Sequence, residues 1–178
     1  MSRVICLHGP ESTGKSTLAP RLAQALGGGI VQEFGRTFAE ARGTEFGMAD
    51  LVEIARTHDQ MTRVAIARGI DPVILDTDPL MTAAWAMMLH GHRDPWFDEW
   101  TGTADLYLLF DIDLPWIDDG TRMFGTPALR RRFLDASRAE LERRGLRWAW
   151  VRGDGEARFD AALAAIRAAG LGDLPIQR

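Results

Sequence analysis

Gly9-Pro10-Glu11-Ser12-Thr13-Gly14-Lys15-Ser16 fits G-x-x-x-x-G-K-[ST] in full, and the residues on either side decide how it is read. Upstream, Val4-Ile5-Cys6-Leu7 has the continuous apolar character of a short buried strand. Downstream, Thr17 to Leu26 carries apolar residues at helical spacing, and Gly27-Gly28-Gly29 closes it. Strand, loop and helix in that order make a phosphate-binding loop. Backbone N–H groups from Glu11 to Ser16 can wrap a phosphate at the positive end of the helix dipole. Lys15 would then reach the β- and γ-phosphates of ATP, and the Ser16 hydroxyl would ligate Mg²⁺. Lys15 is the single lysine of the chain; the other 20 of its 21 basic residues are arginine. A sequence that uses arginine everywhere else and keeps lysine here points to a need for a compact ammonium, which a planar guanidinium does not replace.

Working outward, 178 residues suit one domain spanning 1–178, with 46% hydrophobic and 26% charged residues as in ordinary soluble proteins. The net charge of −4 gives no basic footprint for nucleic acid, and the one basic run, Arg130-Arg131-Arg132, reads as a solvated helix face for at least two of the three. Cys6, the only cysteine, reads as a small core residue, so no internal disulfide is possible. With no apolar stretch approaching the roughly 18 residues of a membrane span and no leader pattern, the expected address is cytoplasmic, with no membrane partner.

Along the chain, Ile30 to Phe34 reads as a second strand with Gly35-Arg36 at its end, and Met48 to Arg68 as a helix with Leu51, Ile54, Ala55, His58, Met61, Thr62 and Ala65 on one side. Pro72 to Asp76 is an apolar strand ending in an acid, and Pro79 starts a helix toward Gly91. Leu106–Phe110 and Arg147–Val151 complete five strands; at least one of Trp148 and Trp150 is expected in the core. Thr126-Pro127 offers an N-cap and first-turn proline for a helix to Arg144, and an alanine-rich helix follows over about 156–169. The alternation predicts an α/β three-layer P-loop NTPase fold with a mostly parallel five-stranded sheet. The polar stretch at about 115–126 is too long for a simple connection and reads as a movable lid.

Ligands of such sheets bind beyond the carboxyl ends of the strands, so the charged residues there are the candidates. Asp76, after four apolar residues, has the form of an acid that positions Mg²⁺; its other possible role, capping the Pro79 helix, falls better to Asp78. Glu33 is a candidate general base for a substrate hydroxyl or, alternatively, a strand-end salt-bridge partner of Arg36. Asp111 and Asp113 follow the fourth strand. Arg122 is either a finger that closes over the β- and γ-phosphates or an ordinary exposed loop arginine. Trp116, beside the lid, is placed to stack on a planar substrate ring, with a cation–π gain if the ring is cationic.

These motifs together resemble a known family. The loop with Glu11, then Glu33-Phe34-Gly35-Arg36, Asp76-Thr77-Asp78, Trp116-x-Asp118-Asp119-Gly120-x-Arg122-x-x-Gly125 and Arg130-x-x-Phe133 are similar in order and spacing to the ribosylnicotinamide kinase domain of the NadR-type NAD-salvage proteins, AAA_28-like P-loop ATPases. The resemblance runs from Val4 to about Arg167, and the Trp-x-Asp-Asp-Gly-x-Arg element is its most specific part. It implies transfer of the γ-phosphoryl group of ATP to the 5′-hydroxyl of nicotinamide riboside, giving nicotinamide mononucleotide. It also implies a nucleotide site of Gly9, Glu11, Ser12, Thr13, Gly14, Lys15, Ser16, Thr17, Arg122 and Arg130. The acceptor would meet Glu33, Phe34, Arg36, Asp78, Trp116, Asp118 and Asp119, with Mg²⁺ on Ser16 and Asp76 and catalysis by Lys15, Glu33, Asp76 and Arg122. The family usually has Tyr at the position of Phe34, and the stretch around His58-Asp59-Gln60 matches loosely; both bear on nucleoside specificity. Multidomain relatives add adenylyltransferase and DNA-binding domains, for which this chain has no residues left. The residues alone also admit a kinase of another nucleoside or small hydroxylated metabolite, or a switch or motor ATPase. Against the last stand the absence of asparagine, which excludes an Asn-Lys-x-Asp motif, and Thr77 where motors place Glu.

Overall fold

The computed structural model describes residues 2–172. Its sheet is built from β1 (Val4–His8), β2 (Gly29–Val31), β3 (Val73–Asp76), β4 (Leu106–Phe110) and β5 (Trp148–Val151), in the order β2-β3-β1-β4-β5. All four pairings are parallel. Burial on both faces explains why β1 and β3 are apolar at every position until their last residues, and why β4 is apolar or aromatic throughout. Ile5, Leu7, Ile74, Leu106, Leu108 and Phe110 face α1 (Lys15–Ala25) and α7 (Gly155–Ala168), meeting Leu18, Leu22, Ala162 and Ile166. Val4, Cys6, Val73, Leu75, Tyr107 and Leu109 face the other way, toward α3 (Met48–Ala67) and α6 (Pro127–Arg143), meeting Ala65, Leu134 and Leu141. This is the three-layer α/β arrangement expected from the sequence, with every strand of the sheet parallel.

α4 (Pro79–His90) packs between α3 and α6. Asp78 caps it by accepting from Leu80 N at 2.9 Å, and Thr126 caps α6 by accepting from Leu129 N at 3.3 Å, each followed by proline in the first turn.

Four expectations are corrected. β2 ends at Val31, whose partner is Leu75; beyond it Glu33 is an N-cap and Phe34–Arg42 is α2, turning the Phe38 and Ala39 side chains into the interior. A short helix, α5 (Pro95–Glu99), stands where the sequence suggested none, capped by Asp94. Neither Trp148 nor Trp150 is fully buried: β5 is an edge strand, the two rings meet edge-on at 5.4 Å, and Arg152 covers Trp150. Met61 likewise turns outward from α3, while its other six expected residues are buried. Among the described residues no helix is long and apolar enough to cross a membrane.

Candidate active site

The loop between β1 and α1 is shaped by its glycines. Gly9 has φ +122°, and a Cβ there would come within 2.8 Å of the Phe110 carbonyl oxygen; Gly14 precedes α1 in the left-handed region at φ +86°. From behind, Arg158 of α7, 1% exposed, donates to Thr13 O at 3.0 Å, to Asp111 O at 2.7 Å and to the Asp113 carboxylate at 2.6 Å. Asp113 also accepts from Gly153 N, and Asp111 pairs with Arg152. The acids after β4 therefore brace the loop and do not face the ligand space.

The loop opens into one cavity with about 1020 Å³ of empty space, counting its mouth. Gly9 and Glu11 through Thr17 line one side, and Glu33, Arg36 and Arg122 face them. Lys15 folds back onto its own loop, donating to Pro10 O at 2.5 Å, with Thr13 Oγ1 at 3.5 Å. Burial lowers its pKa, against the charges of Glu33, Asp76 and Glu11, so three carboxylates sit within electrostatic reach of the one ammonium. Glu33 is pushed up to about 7 by burial and by Asp76, with Lys15 and Arg36 pulling the other way. Arg36 pairs with Asp119 at 3.1 Å, so the pairing with Glu33 considered from sequence is not the one formed.

The 115–126 segment is stitched to the loop. Glu11 Oε1 accepts from Met123 N and Phe124 N, both at 2.7 Å, and Ser12 Oγ accepts from Ile117 N at 2.9 Å and from Arg122 Nη1 at 3.2 Å. Asp119 binds Thr121 and the guanidiniums of Arg122 and Arg36. Partial burial works against its charged form, but those donors hold its carboxyl below the usual range. Asp118 closes a turn by accepting from Gly120 N.

Several predicted residues lie elsewhere than at the cavity wall. Trp116 does not line it; its ring lies on Gly125, where a Cβ would come within 2.9 Å of three ring carbons, so the pair folds the segment onto itself. Asp78 is 1% exposed and spent on structure, accepting from Leu80 N and, at 2.6 Å, from the hydroxyl of Tyr107, the only tyrosine. Phe34 packs on Phe38, and Asp118 and Asp119 act within the segment and on Arg36. Asp76 and Arg130 stand just behind the lining, each with unused capacity. Asp76 Oδ1 and Arg130 Nε and Nη2 are buried without hydrogen-bond partners. Burial lowers the Arg130 pKa, opposed by Asp113 and Glu11.

The rest of the lining was not anticipated as a site. Ala39, Phe46, Leu51, Ile54, His58, Met81 and Trp85 add a largely apolar lining, with Thr77 and Thr82, and Met81 touches the loop itself, its Sδ accepting from Gly9 N at 3.3 Å. The helical spacing of Leu51, Ile54 and His58 identified the buried face of α3 but not that it borders a cavity. Thr77, at φ +70°, is a β-branched residue in a conformation such residues avoid, placed between Asp76 and the capping Asp78.

The AAA_28 family model, an AAA domain, matches residues 4–158. The chain belongs to this family. It is 31% identical over 139 residues to the trifunctional NAD biosynthesis/regulator protein NadR of Escherichia coli K12, and equally to that of Salmonella typhimurium LT2. In both comparisons the match covers 74% of this chain, which spans about a third (33%) of the length of those curated relatives. A crystal structure of NadR protein in complex with NR superposes with a TM-score of 0.77 at 21% identity, over 99% of this chain and 52% of that one. Thymidylate kinase from Ehrlichia chaffeensis superposes at 0.69 with 14% identity, over 94% of this chain and 98% of its own. At such identities the likeness to these two structures is one of fold.

Proposed function

We propose that this AAA_28 domain is an ATP-dependent kinase that transfers the γ-phosphoryl group to the 5′-hydroxyl of nicotinamide riboside, giving nicotinamide mononucleotide in NAD salvage. The observation that carries the reading is a single cavity lined by the phosphate loop, by Glu33, a carboxylate raised to about 7, and by apolar and aromatic side chains. Such a cavity suits a polyphosphate and a flat nucleoside together. NadR relatives at 31% identity, named for NAD biosynthesis, and the NadR structure solved with NR support the choice of nucleoside.

In this reading Lys15 leaves Pro10 O for the β- and γ-phosphates, and Arg122 and Arg130 complete the cationic side. Glu33 accepts the proton of the 5′-hydroxyl as the oxygen attacks phosphorus, and a value near 7 suits a base at neutral pH. Mg²⁺ fits the residues present: Asp76 offers a buried carboxylate oxygen without a partner, and Ser16 is exposed at the cavity. The ion would neutralise charge on the phosphates when bound. Phe46 and Trp85 take the ring-facing role that sequence gave to Trp116, since a cationic pyridinium is attracted by aromatic faces. The 115–126 segment serves as the lid of one kinase domain, coupled to the loop through Glu11 and Ser12. A cytoplasmic setting, where ATP is present, belongs to the same proposal.

The test is a coupled ATP assay over a panel of nucleosides that includes nicotinamide riboside. Turnover of the riboside with formation of the mononucleotide is expected. Turnover confined to other nucleosides would reassign the acceptor, and none at all would overturn the kinase reading.

A further inference from the structure

His58 is the one ionisable side chain on the α3 face of the cavity, one turn beyond Ile54 and two beyond Leu51. It is 2% exposed, yet neither ring nitrogen has a hydrogen-bond partner. The backbones of Asp76 and Gln32 lie close enough to raise its pKa as weak hydrogen bonds, short of a well-formed bond to either nitrogen. Burial pushes its pKa down to about 4, with Asp59 pulling the other way, so the ring is neutral at physiological pH and carries one donor and one acceptor. A buried polar ring with nothing to bind is costly, and a site that faces a cavity accounts for such a cost when a ligand supplies the missing partner.

Position narrows what that partner is. Gln32, whose backbone lies close to His58, precedes Glu33 in sequence, and His58 and Glu33 line the same cavity, which places His58 on the side of the carboxylate assigned to the 5′-hydroxyl. Phe46 and Trp85 occupy the wall suited to the base. Between the reacting hydroxyl and the base lies the sugar. We infer that His58 reads the acceptor's ribose, exchanging a hydrogen bond with its 2′- or 3′-hydroxyl and setting preference for ribosides over deoxyribosides. The inference rests on the kinase reading above and assigns His58 no part in phosphoryl transfer.

The test compares wild type, His58→Phe and His58→Gln on nicotinamide riboside and its 2′-deoxy and 3′-deoxy analogues. Wild type is expected to favour the riboside over at least one analogue by about tenfold in kcat/KM. His58→Phe should lose about that factor on the riboside, chiefly through KM, and level the preference, while KM for ATP stays put. His58→Gln, which keeps a donor and an acceptor, should recover part of it. Because no well-formed hydrogen bond within the protein is lost, the Tm of His58→Phe should stay close to that of wild type. A preference that survives in His58→Phe, or an equal loss on all three substrates together with a lower Tm, would overturn the inference while leaving the kinase reading intact. A wild-type enzyme that phosphorylates none of them would overturn both.

Discussion

Glu33 and Asp76 are both acids at strand ends in the sequence, and only their surroundings separate them. Glu33 lines the cavity at about 7, whereas Asp76 lies behind it, 4% exposed with one oxygen unpartnered. If Glu33 is the base, kcat/KM should rise with pH through about 7, because that parameter reports the free enzyme and the base works deprotonated. Glu33→Gln should remove that limb and lower kcat with ATP affinity retained. Asp76→Asn should instead shift the Mg²⁺ requirement. An active Glu33→Gln enzyme with an unchanged pH profile would strip Glu33 of the role. Placement of the loop residues at the cavity was legible in sequence because they are contiguous and act largely through backbone. Asp78 and Trp116 were not: their partners Tyr107 and Gly125 are 29 and 9 residues away, and only the fold shows those groups already taken.

At the scale of elements, the strands of the sheet interior and the capped helices α4 and α6 followed from local chemistry, apolar runs in the first case and Asp-Pro or Thr-Pro starts in the second. α2 did not, since Ile30, Val31 and Phe34 make Ile30 to Phe34 apolar enough for a strand, whereas pairing with β3 stops at Val31 and Leu75. Nor did the bracing of the phosphate loop by α7, where Arg158 reads in sequence as one more arginine on a surface helix. Its guanidinium, 1% exposed, ties three segments: the loop at Thr13, the β4 exit at Asp111 and Asp113, and the β5 exit at Gly153. Arg158→Ala leaves buried carbonyls and a carboxylate without their donor, so urea unfolding should show a loss of about 3 kcal/mol. ATP should also bind more weakly, as the Thr13 backbone loses its support. A loss under about 1 kcal/mol, the usual worth of an exposed ion pair, would show that the network does not hold the loop.

For the molecule as a whole, parallel topology gathers strand ends, helix starts and buried ionisable groups at one side, and function there works against stability in a pH-dependent way. His8 and His58, both near 4 through burial, are neutral in the folded state and take up protons first when unfolded. Their contribution is therefore present above about 6.5 and lost as pH falls toward 4. Glu33, raised to about 7, and Asp78, raised to about 6, act with the opposite sign, since the folded state binds their protons more tightly and gains stability on acidification. The two pairs overlap between pH 4 and 7, so unfolding free energy of the ligand-free protein should change little across that interval. Glu33→Gln breaks the balance. Above pH 7 the variant no longer holds a desolvated carboxylate and should be the more stable protein, by on the order of 2 kcal/mol. As pH falls through 7 to about 4.5 that advantage should vanish, because wild-type Glu33 becomes protonated and the histidine losses are common to both. Denaturant curves at pH 8, 6 and 4.5 decide the matter: a variant no more stable than wild type at pH 8, or an advantage that persists at 4.5, would mean that Glu33 is solvated in the folded state and not held as a base in waiting.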